Sequence, residues 1–98
     1  MIRSYGDLAT RELHAGVKSA RARRLLPTTS VKVALRKLDQ MLYAATIEDL
    51  RVPPGNHLEA LSGDLAGYHS IRINDQFRIV FRWIDGAAED VRVSDHYR

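Results

Sequence analysis

The sequence predicts an α+β domain, a small and mainly antiparallel sheet with two N-terminal helices packed on one face, in the order β-α-α-β-β-β. Three observations lead there. Apolar residues recur at helical spacing through residues 31–45, the period drops to two from His57 onward, and Gly, Pro, Asn and Asp breaks separate the pieces. No internal repeat, low-complexity tract or linker interrupts the chain.

The opening "MIRSY" is a short β-capable run. Asp7 stands where an N-cap belongs, which predicts a helix over residues 8–15, and Gly16 is its C-terminal stop. "VKSARARRLLPTTS" reads as a basic connection carrying Lys18, Arg21, Arg23 and Arg24, closed by Pro27 and by hydroxyl residues suited to capping. From Thr29 or Ser30 the best helix begins. Its Val31, Ala34, Leu35, Leu38, Met41, Leu42 and Ala45 form one stripe, while Arg36, Lys37, Asp39 and Gln40 fall elsewhere on its surface. "RVPPGN" suits neither a helix nor a ladder. "HLEAL" is a short strand and "SGDLAG" a turn-rich link. "YHSIRIN", "FRIVFRWI" and "DVRVSDHY" then form an antiparallel meander with tight turns at Asn74-Asp75-Gln76 and Asp85-Gly86.

With 98 residues the chain has the length of one domain, residues 1–98, and can bury a core without staples. It holds no cysteine, which removes disulfides, thiolate chemistry and Cys-based zinc sites and fits a reducing cytoplasm. The charged "MIRSYGDLATRELHAG" lacks the apolar core of a signal peptide, and no run approaches the roughly 18 apolar residues of a membrane span. The expectation is a cytosolic protein with no membrane partner. Lys and Arg total 15 against 12 Asp and Glu, for a formal charge of +3, an ordinary balance for a small soluble domain. Only Lys18, Lys32 and Lys37 are lysines. Arginine's planar fork matches phosphate bidentately, so the composition leans toward a phosphate-bearing partner, although a GC-rich genome explains it equally well.

Strand parity sharpens that lean. If Ile71, Ile73, Phe77, Ile79, Phe81, Trp83, Val91 and Val93 face the helices, then Arg72, Arg78, Arg82, Arg92, Ser94 and His96 share the opposite face. Guanidinium groups there can position phosphates, with Tyr43, Tyr68 or Tyr97 stacking on bases if they lie near. Arginines on the solvent side of an antiparallel sheet are also commonplace, so pattern alone does not decide. His57, His69 and His96 match no zinc spacing, and no metal site is expected. Nothing resembles the G-x-S-x-G elbow of a hydrolase or a phosphate-cradling glycine loop. "KSARARR" reads equally as an RNA contact and as a solvated connection.

The order of landmarks resembles a known family across essentially the whole chain. "RKL" on the second helix, the "PPGN-x-LE-x-L-x-G" segment, the block "SIRINDQFRI" with its following "F-x-W", and a terminal aspartate with aromatic and histidine together resemble the HigB group of toxins in the RelE/ParE superfamily. The resemblance implies the toxin of a type II toxin–antitoxin system. Its activity would be ribosome-dependent endonucleolytic cleavage of mRNA codons in the A site, by attack of the ribose 2′-OH on the adjacent phosphate, with neither metal nor cofactor. It further implies a HigA-like helix-turn-helix antitoxin, the 70S ribosome and mRNA as partners, and operator DNA only through the antitoxin.

Carried over residue by residue, Arg78 matches the family's phosphate-stabilising arginine, and Arg72 is the second phosphate contact. Glu59 aligns with a residue that is histidine in some relatives. Asp95, His96 and Tyr97 stand at the catalytic tail, where relatives end Asp-Tyr-His and this chain reads Asp-His-Tyr. Parity favours His96 as the proton-transfer group and Tyr97 as auxiliary, since a one-residue shift turns a side chain to the other face. Arg82, Arg92, Arg98 and Lys37 complete the expected RNA-binding set. Three other readings stay open: a ParE-like DNA gyrase poison that acts by binding, a non-enzymatic nucleic-acid-binding module, and, because of the inverted tail, an attenuated toxin retained mainly for regulation.

Overall fold

Asp7 and Gly16 bracket the first helix as their residue types require. In the computed structural model, which describes residues 1–95, the Asp7 carboxylate accepts from the Thr10 amide at 2.8 Å. Gly16 closes α1 (Leu8–Ala15) at φ 79°, a left-handed angle that costs glycine little. The basic connection is not irregular throughout, because Ser19 caps a single turn, α2 (Ala20–Arg23), and buries Ala22 against α1. The long helix α3 (Thr28–Tyr43) starts one turn position earlier than its hydroxyl residues suggested. Pro27 precedes it, and Ser30 is buried instead of capping, with its Oγ accepting from Asn74 Nδ2 at 2.9 Å.

The buried stripe of α3 is Ser30, Ala34, Lys37, Leu38 and Met41, while Leu42 and Ala45 of the expected stripe are exposed. The chain leaves helical geometry at Ala44, so Ala44 turns inward in their place. Two single 3₁₀ turns, Ile47–Arg51 and Pro54–Asn56, flank a cis Val52–Pro53 peptide. Gln40 and Asn56 pin this loop to α3. Asn56 is fully buried and donates to Leu50 O and Gln40 Oε1, each at 3.0 Å, while Gln40 donates to Val52 O.

The sheet runs β1-β2-β3-β4, all antiparallel, from β1 (Glu59–Ala60) through β2 (Tyr68–Arg72) and β3 (Arg78–Ile84) to β4 (Ala87–Ser94). The β2–β3 turn is closed by Asn74, whose Oδ1 accepts from the Gln76 and Phe77 amides. At the β3–β4 turn Asp85 and Gly86 both take positive φ, the requirement of the tight hairpin turn whose twist matches its strands. The N-terminal run lies parallel to β4 through bridges at Ile2–Ala88 and Tyr5–Val91, without forming a continuous strand. Leu13, Leu38, Met41, Ile71, Ile79, Phe81, Val91 and Val93 make the core between helices and sheet. Thr10 Oγ1 accepts from the Val93 amide inside it, at 3.0 Å.

Candidate functional site

The meander aligns the arginines as parity requires. Arg72 pairs with Arg78 across β2–β3, Arg78 with Ser94 and Val80 with Arg92 across β3–β4, and Tyr68 stands opposite Arg82. The face is nevertheless not a uniform basic surface. Val80 and Ser70 are fully buried on it, and the Arg78 side chain is only 10% exposed.

Arg78 is enclosed because the pinned 53–56 loop brings the next residue's backbone over it. Its Nη2 donates to His57 O and, at 3.5 Å, to Ser70 O, and its Nη1 lies 3.3 Å from Glu59 Oε1. Glu59 is itself half exposed, so one carboxylate oxygen faces a cation while the group stays open to an incoming ligand. Arg72 pairs with Asp75 in the turn. Lys37, expected as an open RNA contact, is instead buried on α3 and donates to the Arg72 carbonyl at 2.5 Å. Its pKa is held below the usual lysine value, first by burial and then by the charges of Arg36, Arg72 and Arg78. Three cations thus converge where β2 and β3 begin their hairpin, and β4 leaves the sheet at the same level through Ser94 and Asp95.

At the other end of the face, Arg82 Cζ lies 5.2 Å and Arg92 Cζ 5.4 Å from the centroid of the Tyr68 ring. Tyr43, by contrast, is 83% exposed at the end of α3, away from this face. The expectations for His96, Tyr97 and Arg98 lie outside the described residues. His69 points to the core, stacked on Phe81, and burial followed by the charge of Arg51 lowers its pKa. No cluster of three metal-ligating side chains occurs among the described residues. Nor, among them, is any helix long and apolar enough to cross a membrane.

Against this geometry, the profile of the HigB-like toxins, described as the RelE-like toxin of the type II toxin–antitoxin system HigB, matches residues 10–96. The chain belongs to the HigB-like toxin family. Toxin HigB-1 of Vibrio cholerae serotype O1 is 42% identical to this toxin over 73 residues, 74% of this chain and 77% of that protein. An uncharacterized protein of Haemophilus influenzae is 35% identical over 71 residues, covering 72% and 70% of the two chains. Among solved structures, a chain of the YoeB-YefM complex from Staphylococcus aureus superposes with a TM-score of 0.60 over 99% of both chains. Its identity to this toxin is 18%, so it speaks for the shared RelE-like fold alone. As a type II toxin, the protein has an antitoxin as its partner.

Sequence reasoning missed the bulge that shapes the far end of the face. Val80 pairs with Arg92 while Arg82 pairs with Glu89, so β4 carries an extra residue, and Asp90 takes φ 53°. A signal was present. Counting back from Val93 and Val91 by twos turns Glu89 inward, and a glutamate in an otherwise apolar set marks a break in register.

Proposed function

We propose that this toxin is a ribosome-dependent endoribonuclease that cuts mRNA in the A site, held in check by a HigA-like helix-turn-helix antitoxin that also carries the pair to operator DNA. The observation that supports the reading most is the enclosed Arg78, with Arg72 across the ladder, Lys37 behind and the Glu59 carboxylate at 3.3 Å. A 2′-oxygen attacking the adjacent phosphorus builds a phosphorane with growing negative charge. The bond to the 5′-oxygen then breaks, leaving a 2′,3′-cyclic phosphate and a 5′-hydroxyl. Fixed guanidinium groups meet that charge best when their geometry is set beforehand, as the His57 carbonyl and Glu59 set Arg78. In this reading the Glu59 carboxylate takes the 2′-OH proton, and Asp95, His96 and Tyr97 of the tail supply the proton that the leaving 5′-oxygen needs. Arg72 holds the non-bridging oxygens, and Lys37 adds positive charge from the helix side.

Primer extension on a translated reporter message, after brief induction of the toxin, tests this. Cuts within the coding frame that vanish with a translation inhibitor and in Arg78→Ala are the expected result. Intact messages with arrested growth and induced DNA damage would overturn it in favour of a gyrase poison.

A further inference from the structure

The arginine face carries a second cluster whose chemistry the cleavage step does not use. Arg82 and Arg92 both place their guanidinium carbons over the Tyr68 ring, at 5.2 and 5.4 Å from its centroid, within the roughly 6 Å reach of a cation–π contact. A cation–π contact uses the charge of a guanidinium and consumes none of its five N–H donors. Among the described residues, no hydrogen bond or ion pair engages either group, unlike Arg72, which pairs with Asp75, and Arg78, which pairs with Glu59. Two cations beside one ring repel each other, and the cluster is built to hold them. The Tyr68 hydroxyl donates to Asp90 Oδ2 at 3.4 Å, which ties the shared ring to the β4 bulge. Asp90 is fixed in the β4 bulge, where its amide donates to Ser4 Oγ at 2.9 Å. Gly6 leaves the space this needs, since a Cβ there would lie 2.8 Å from Asp90 O and 3.3 Å from Arg92 Cδ.

We propose that Tyr68, Arg82 and Arg92 form a second anion subsite that grips an RNA phosphodiester other than the one at Arg78. Its substrate class rests on the ribonuclease reading above. Arg82 is four residues from Arg78 on β3, about 13 Å along the strand, and Arg82 is held over Tyr68 while Arg78 is held by His57 O and Glu59, so each meets a separate phosphate. The ligand is RNA backbone, whose two sources are the message flanking the cut and the RNA of the ribosome itself.

The test is binding of the full chain to a labelled short single-stranded RNA, and separately to ribosomes carrying no message, across a range of salt. Variants are Arg82→Gln, Arg92→Gln and the pair together, with circular dichroism as the control on folding. Loss of about 0.7 in the log–log salt slope per arginine on the short RNA assigns the subsite to the message strand. Loss on message-free ribosomes alone assigns it to ribosomal RNA. Wild-type affinity and slope in both arms for the double variant would overturn the proposal. Tyr68→Phe, which keeps the ring and loses only the Asp90 contact, should bind more tightly than Tyr68→Leu, which should lose several-fold with both arginines present. Because binding is read apart from cleavage, the subsite stands if binding falls and no cut is ever found, and only the ribonuclease reading then fails.

Discussion

The two ends of the arginine face teach different lessons from the same residue type. At the hairpin end, Arg78 is nearly enclosed, bonded to the His57 carbonyl and paired with Glu59, and a buried lysine stands behind it. At the bulge end, Arg82 and Arg92 lean on an aromatic ring with no donor engaged among the described residues. Enclosure fixes a cation in one position, which suits a charge that appears only in a transition state. A cation–π contact keeps a cation beside the ring while leaving its donors available, which suits ground-state binding of a flexible anion.

The largest effect that distinguishes the ends is on cleavage. Arg78→Ala should lower the cleavage rate by about 10²–10³, and Arg78→Lys should not restore it, because a point charge lacks the fork that meets Glu59 and the backbone carbonyl together. Thermal unfolding of the same variant separates chemistry from folding, with a cost of about 1–3 kcal/mol expected for the carbonyls it leaves unpaired. Gly6→Ala should act on the bulge end alone. Its Cβ would press on Asp90 O at 2.8 Å, costing about 1–3 kcal/mol in denaturant unfolding and displacing Arg92 without touching Arg78. The smallest effect is a pH dependence shared by both ends. Burial and Arg51 keep the His69 pKa below its usual 6.5, so the unfolded chain binds that proton more readily than the folded one. Stability should therefore fall as pH drops through 6.5 toward the folded-state value, and His69→Phe should flatten this slope in urea titrations.

The element order was legible because its signals are local. Asp7 and Gly16 carry helix ends in their own chemistry, and Asp85-Gly86 carries a turn. That Arg72 and Arg78 share a face followed from period two, while their direct pairing is set by the Asn74 turn. What escaped depends on contacts between distant segments. Ser30 accepts from Asn74 Nδ2 with its hydroxyl oxygen instead of capping α3, and Lys37 turns inward because the Arg72 carbonyl lies within its reach. The enclosure of Arg78 depends on Asn56 and Gln40 pinning a loop onto α3, and no spacing rule contains that. Tyr68 was named as a stacking residue, but its two arginine neighbours meet there through a bulge whose only trace is the misplaced Glu89.

The division between the ends is tested most directly by cleavage of a defined message in a purified translation system, measured as rate against concentration of programmed ribosomes. Arg78→Ala should lower the maximal rate and leave half-saturation near the wild-type value, whereas Arg82→Gln with Arg92→Gln should raise half-saturation several-fold at an unchanged maximal rate. Equal losses of maximal rate at both ends, with half-saturation unmoved, would contradict the account and make the whole face a single catalytic surface.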